Sequence, residues 1–540
     1  MEDLNESQRK VCEDSSNNLL VCAGPGTGKT YALTKRIEYL LNSKVEPSSI
    51  VAITFTNKAA TEIYKRLQRV LRGEISSLFV GTIHRLALKF LEAYTKKEIR
   101  VIDRETQIQI LKTIVGDEKT AKLEAKRIEK AKNRMVFNPE DSVFEIYERT
   151  LRAHDLYDFE DLILKAAEIV KDLSWEPRIE HVLVDEFQDL NRAQYEFISN
   201  IVKLHKSVLC AFGDVDQSIY GFRGSDPSIL LDFQKDYPDC QVLKLNENHR
   251  STKNIIEAST AFIRNNKMRM DNPLVAKREQ GPKIKVACVP NPYAAGDFIV
   301  GEIQRRIGGL DQIDAQNVRP LKDRLSLSFS DFAVLYRTNE EASFLKRAFE
   351  SSKIPYQIIG GRLEGSENGL RELIKLITEA LKNDSSLQDL TVRDFFQLLP
   401  ILRQKNCGLT FLIEELFSSF SLKEVPSFLM TLTREDDYIP HFDAVTLTSL
   451  HRAKGLEFSC VFIVGLDEGR IPLRQTDGFD IEEERRLLYV GMTRAKDELF
   501  LIHSEDRSPS PFLSEIPDSF VERLRVKKPK KPKMECLFSF

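Results

Sequence analysis

Residues 18–41 read NLLVCAGPGTGKTYALTKRIEYLL: an apolar run, a glycine-rich turn, then apolar positions three and four apart. That order predicts a β-strand, a tight turn and an amphipathic helix. In the turn AGPGTGKT, Gly24, Pro25, Gly26, Thr27 and Gly28 form a loop whose backbone N–H groups can ring phosphate oxygens at the helix N-terminus. Lys29 is placed to neutralise β and γ phosphates, and the Thr30 hydroxyl to ligate magnesium. Ala23 stands where the strict pattern begins with glycine.

Working outward, residues 49–67, SIVAITFTNKAATEIYKRL, repeat strand then helix, and the alternation predicts a parallel α/β sheet. Two further short apolar runs, HVLVDEF (181–187) and SVLCAFGD (207–214), end in acidic residues. Buried strands of such a sheet deliver side chains in this way to its ligand-binding carboxyl edge. These elements outline a first lobe over 1–91 and 153–265. Between them, residues 92–152 contain EKTAKLEAKRIEKAKNR, whose Ala, Lys, Arg and Glu predict helices that are either a solvated pair or a nucleic-acid contact. A second α/β set follows in KIKVACV, FAVLYRTN, AVTLTSLHRAKGLEFSCVFIVGL and ERRLLYVGMTRAKDELFLIH. It predicts a second lobe over 266–361 and 444–515 with a helical insertion at 362–443. Residues 516–540 read as a basic tail.

The octapeptide LVDEFQDL (183–190) supplies the other half of a phosphoryl-transfer site. Asp185 at the strand end can hold the magnesium ion, and Glu186 can accept the proton of an attacking water.

A chain of 540 residues exceeds one hydrophobic core; at roughly 150 residues per domain it predicts three or four units. Hydrophobic residues at 42% and charged residues at 30% are ordinary for a folded chain. A net charge of -3 decides nothing about nucleic acid, because a phosphate-binding groove needs only a local basic lining. The 8 cysteines form no C-x-x-C pair, which argues against a zinc ribbon or disulfide framework and for a reduced, cytoplasmic setting. No apolar run approaches the ~20 residues that span a bilayer, so no membrane partner is expected.

With these motifs in place, the chain resembles a superfamily 1 DNA helicase of the UvrD/Rep/PcrA type. Besides the phosphate loop and LVDEFQDL, it carries LNESQ, TFTNKAATE, GTIHRLA, YDFEDL, GDVDQSIYGFRG, ENHRS, AVLYRTN, SLHRAKGLEF and EERRLLYVGMTRA in the family's order. The resemblance implies two RecA-like parallel-sheet lobes, each with an inserted mainly helical subdomain, and ATP and Mg2+ as cofactors. It implies ATP hydrolysis coupled to 3′ to 5′ movement on single-stranded DNA or at ss/dsDNA junctions, in repair, replication or recombination. Gln8 matches the adenine reader, and Arg250 and Arg494 match cations that reach the departing phosphoryl group. Gln217 matches the residue linking γ-phosphate to DNA, and Glu457 a nucleotide contact. Phe55, Tyr220 and Phe222 with Arg223 match positions where bases stack. Thr54, Asn57, Thr82, His84, Asp158, Arg337 and His451 match the family's remaining DNA contacts.

The sequence also departs from the family pattern. Tyr31 and His249 replace the arginine and tyrosine that sandwich the adenine, and Phe222 replaces a tryptophan. The second insertion is short, which keeps open a translocase that displaces proteins with little duplex unwinding. At the C-terminus, RVKKPKKPKMECLFSF joins a basic, proline-spaced linker to an apolar tip. MECLF resembles a sliding-clamp docking peptide, so Met534 to Phe540 make the clamp a candidate partner, while the basic run also resembles a nuclear-import signal.

Overall fold

The computed structural model describes residues 4–14, 17–70, 77–138, 140–170, 178–307, 327–359, 443–474 and 479–526. Among the described residues two units result, which divide at Asn246/Glu247 apart from a five-residue return, Met268–Asn272, to the first.

In the first unit β1 (Leu19–Ala23), β2 (Ile50–Thr54), β3 (Phe79–Thr82), β4 (His181–Val184), β5 (Val208–Gly213) and β6 (Gln241–Leu245) form one sheet. Its order is β3-β2-β4-β5-β1-β6, with every neighbouring pair parallel. β1 and β2 are buried along their whole length. Helices cover both faces of the sheet, so these strands read as unbroken apolar runs rather than as alternation. One face packs α1 (Glu6–Glu13), α2 (Lys29–Asn42) and α3 (Asn57–Val70). The other packs α4 (Ile83–Thr95), α8 (Phe159–Ile169) and α9 (Arg192–His205). Arg36 of α2 is fully buried, and its Nη1 donates to the carbonyls of Val11, at 2.6 Å, and Asp14, tying the end of α1 to α2.

Between α4 and α8 lie α5 (Arg104–Val115), α6 (Glu118–Arg134) and α7 (Ser142–Ala153). They enclose a small core of Leu111, Ala121, Ala125, Ile128, Tyr147 and Leu151. Lys132 of α6, 1% exposed, fastens them to α8: its ammonium lies 2.7 Å from both Asp158 Oδ2 and Asp161 Oδ1, and 2.6 Å from Glu148 Oε1 of α7. Two four-residue helices, α10 (Ser228–Leu231) and α11 (Phe233–Asp236), lead back to β6.

The second unit opens with β7 (Glu247–Asn248), paired with β8 (Val275–Ala276). Its main sheet is built from β9 (Ile284–Val289), β10 (Phe332–Tyr336), β11 (Tyr356–Ile358), β12 (Val445–Ser449), β13 (Phe458–Ile463), β14 (Ala495–Ser504) and β15 (Val521–Arg525). The order is β11-β12-β10-β13-β14-β9-β15, again parallel throughout. The unit also holds α12 (Lys253–Ile263), α13 (Pro292–Ile307), α14 (Asn339–Ser351) and α15 (Ile481–Met492).

Two expected boundaries move. Residues 247–265 belong to the second unit, not the first, because hydrogen bonds anchor them there: Ser251 Oγ donates to the Ala495 carbonyl at 2.6 Å and the Thr252 amide to that of Lys496 at 2.9 Å. Val521–Arg525, expected to lie in the tail, instead pairs with β9 as a sheet-edge strand. Residues 360–442, with nearly all of the 362–443 insertion, and 527–540, with Met534 to Phe540, lie outside the described residues. Among the described residues no helix is long and apolar enough to cross a membrane.

Candidate functional site

β1 ends at Ala23, and the chain turns through Gly24–Gly28 directly into α2. Gly26 and Gly28 have φ of 69° and 82°, the left-handed region that costs glycine least. A second constraint acts at Gly28, where a Cβ would lie 3.0 Å from Gln8 Nε2. Gln8 is held there by a reciprocal cap with Asn5 at the start of α1, and its Nε2 donates to the Thr27 carbonyl at 3.3 Å. No side chain caps α2. Its first N–H groups therefore open onto the loop, the arrangement that binds anions.

β4, separated from β1 by β5, delivers the acidic pair. Lys29 Nζ lies 2.9 Å from Glu186 Oε1 and 3.0 Å from Oε2, and Thr30 Oγ1 lies 3.4 Å from Asp185 Oδ2. Burial opposes the Lys29 charge, but Glu186, Asp185 and Asp214 more than offset it, so its pKa is raised. Burial, then the charge of Glu186, raises that of Asp185. Glu186 has φ 52°, an uncommon conformation for a side-chain-bearing residue, and one that turns its carboxylate back toward Lys29.

β5 ends beside this pair. Gln217 Nε2 donates to Asp214 Oδ2 at 2.7 Å, and the Asp214 amide donates to Gln188 Oε1 at 3.0 Å. The loop that follows carries the aromatic residues. Tyr220 stacks on Phe55, just beyond β2, with centroids 4.9 Å apart and planes 17° from parallel. Phe222, 63% exposed, lies 6.1 Å from Tyr220, and the Arg223 guanidinium sits over both rings.

Several expected DNA contacts have internal roles. Asp158 is buried and caps α8, and its carboxylate also accepts from Lys132 and, at 3.0 Å, from the Tyr147 hydroxyl. Thr82 caps α4. His84 stacks on Phe159 at 3.9 Å, and burial pushes its pKa down to about 3, so it is a neutral ring. Thr54 Oγ1 donates to the Thr56 carbonyl at 2.9 Å, and Asn57 is buried at the start of α3. Tyr31 lies in the first turn of α2, with Lys35 Nζ 5.9 Å from its ring centroid.

In the second unit Arg250 Nε pairs with Glu457 Oε2 at 2.7 Å, and Lys496 holds Oε1 of the same carboxylate at 2.9 Å. His249 lies 3.7 Å from Glu247. Arg494 is buried, its Nε donating to the Val490 carbonyl at 2.9 Å and its Nη1 to that of Leu456 at 3.2 Å. Arg337 pairs with Glu484 at 2.7 Å, and His451 is half-buried just after β12.

Sequence reasoning missed three residues that hold the site together. Gln188 joins Glu186 to Asp214. Asn133 of α6 donates to the Arg223 carbonyl at 3.2 Å and accepts from Asn191 at 2.9 Å. Arg269, in the returning segment, binds Asp216 through two nitrogens at 2.9 and 2.6 Å. Only the presence of Gln188 inside LVDEFQDL hinted at any of these; the other pairs are far apart in sequence.

A phosphate loop and an acidic pair at the carboxyl edge of one parallel sheet, in a chain with a second such sheet, define a two-lobed RecA-like phosphate-loop protein. Residues 4–238 match the UvrD/REP helicase N-terminal domain, and residues 243–364 and 364–506 the UvrD-like helicase C-terminal domain. The chain belongs to the UvrD/Rep helicase family. It is similar to the "ATP-dependent DNA helicase PcrA" of Staphylococcus aureus, 27% identical over 96% of this chain and 87% of the relative. It is likewise similar to the protein of that name in Bacillus subtilis, 28% identical over 97% and 87%. The S. aureus alignment spans 651 positions, more than the 540 residues of this chain, so the relative carries segments with no counterpart here.

Proposed function

We propose that this chain is a DNA-stimulated ATPase that uses ATP to move 3′ to 5′ along single-stranded DNA and to open duplex DNA at ss/dsDNA junctions. The observation that carries the reading is the junction of two sites in the first unit. The Lys29–Glu186 pair is hydrogen-bonded through Gln188 to Asp214, and Asp214 opens the loop that carries Tyr220, which stacks on Phe55.

The loop 24–28 and the N–H groups opening α2 bind the phosphates, and Lys29 turns from Glu186 to them. That exchange releases the Glu186 carboxylate to take a proton from water lined up on the γ-phosphorus. Thr30 Oγ1 and the Asp185 carboxylate, two hard oxygens already facing one another, fit a magnesium ion. When bound, it draws charge from the phosphate oxygens. Gln8 reads the adenine edge, with Tyr31, His249 and Glu457 as further nucleotide contacts. Arg250 and Arg494 supply cations for the departing phosphoryl group, a role that rests on the family resemblance. Phe55, Tyr220, Phe222 and Arg223 grip the bases.

ATP hydrolysis by the intact chain with and without single-stranded DNA tests this reading. Strong stimulation is expected, and turnover indifferent to DNA in folded protein sinks it. Phe55→Ala removes one stacking face, worth about 1–3 kcal/mol. It should raise the DNA concentration giving half-maximal stimulation by on the order of 10-fold or more; an unchanged midpoint removes Phe55 from the DNA site.

The short second insertion at 362–443 favours a second reading, a translocase that strips proteins from single-stranded DNA and unwinds poorly. Strand displacement on a tailed duplex, run beside streptavidin displacement, separates the two. The clamp-docking role of Met534 to Phe540 rests on sequence alone; deleting those residues without loss of clamp binding dismisses it.

A further inference from the structure

Gln188 is fully buried, and each part of its amide is committed. Its Nε2 donates to Glu186 Oε2 at 2.5 Å and its Oε1 accepts the Asp214 amide at 3.0 Å. Its backbone carbonyl accepts from Ser218 Oγ at 3.3 Å. Room for the amide is made by Gly213, where a Cβ would come within 2.9 Å of Oε1. Beyond Gln188 further contacts follow: the Asp226 amide donates to the Leu190 carbonyl at 3.0 Å, and Asn191 and Ser225 form an antiparallel bridge. Residues 188–191 are thus laced to 214–226, the segment that carries Gln217, Tyr220, Phe222 and Arg223.

Two consequences follow. Once Lys29 turns to phosphate, Gln188 remains as a partner that orients the Glu186 carboxylate, and a base kept within hydrogen-bond reach of its water is the condition for proton transfer. At the other end, Phe55 and Tyr220 are in direct contact, so a base inserted between them must spread the rings. Moving Tyr220 draws on Ser218 and Asp214, both of which bear on Gln188.

We infer that Gln188 is a positioning residue through which binding of a base at the Phe55–Tyr220 stack sets the orientation of Glu186, so that DNA occupancy raises the rate of ATP hydrolysis. The inference deepens the proposed function and rests on its assignment of Glu186 as the base. Gln188 acts on the reaction only through Glu186.

The test measures basal and DNA-saturated kcat, the KM for ATP, the DNA midpoint and thermal unfolding for the intact chain and for Gln188→Leu, which keeps the bulk and loses both amide bonds. The expected result is at least a tenfold fall in the ratio of stimulated to basal kcat, with the KM for ATP and the DNA midpoint each within about threefold. Gly213→Ala, which crowds Oε1 without touching Glu186, gives the same loss of ratio in weaker form and carries the measurement if Gln188→Leu fails to fold. A folded variant with its ratio intact, or with both rates lowered equally, overturns the inference while the motor reading stands. An intact chain without DNA stimulation overturns that reading first, and the inference with it.

Discussion

Glu186→Gln should lower DNA-stimulated ATP hydrolysis by about 10²- to 10⁴-fold, the usual contribution of a positioned proton acceptor. It should leave the affinity for ATP unchanged or tighter. An amide has the shape of the carboxylate, so the substituted side chain keeps a contact with Gln188 and the local backbone at φ 52° without new bulk. What it loses is basicity and a negative charge. The charge currently faces Lys29 at 2.9 Å, and beside bound phosphates it repels them, so its removal does not cost nucleotide binding. Steady-state turnover and equilibrium binding of a fluorescent ATP analogue separate the two effects. A kcat within tenfold of the intact chain's would reassign the base; a large loss of affinity would make Glu186 a structural partner of Lys29 instead.

Lys132→Met should destabilise the first unit by about 3–5 kcal/mol, since it strips the cation from a buried cluster and leaves its carboxylates facing one another. The ammonium is 1% exposed and touches Glu148, Asp158 and Asp161; the Tyr147 hydroxyl shares Asp158, and Glu160 lies on the same helix turn. Burial opposes the ammonium's charge, but the three carboxylates more than offset it and raise its pKa. Burial, and then Asp158, already raise that of Asp161. Lys132 draws the Asp161 pKa down, so without it Asp161 titrates still further above the ordinary carboxylate range of about 4 in the folded state. The folded variant then binds a proton that its unfolded chain has released. The sign follows: stability contributed by the protonated carboxyl is present at acid pH and is lost as pH rises through its raised value. Urea unfolding should therefore show a larger deficit at about pH 8 than at about pH 5.5. A deficit under about 1 kcal/mol at both would mean that the cluster relaxes into water and is not the fastening it resembles. Since Asn133, the next residue, holds the Arg223 carbonyl, a loosened α6 should also weaken DNA stimulation.

Much of the site was legible because its chemistry is local. AGPGTGKT offers consecutive backbone amides of the kind that bind phosphate, and a strand that ends in Asp185–Glu186 presents both carboxylates without help from afar. The two parallel sheets were legible for the same reason, since strands buried on both faces leave unbroken apolar runs between helical periods. Asp158 shows the limit. Its motif matched a DNA contact, but whether a carboxylate faces solvent or an ammonium 26 residues earlier depends on how α6 packs on α8.

What tertiary structure alone decided is how the pieces are joined. No periodicity says that residues 247–265 leave the first unit, that Val521–Arg525 closes a sheet edge, or that Arg269 returns to clasp Asp216. Nor does any motif say that one buried amide, Gln188, lies between the acidic pair and the aromatic loop. Local sequence specifies strands, turns and phosphate-binding amides because those depend on neighbours along the chain. Partners for buried polar side chains are chosen by packing, since each group removed from water must find a hydrogen bond wherever the fold brings one within reach.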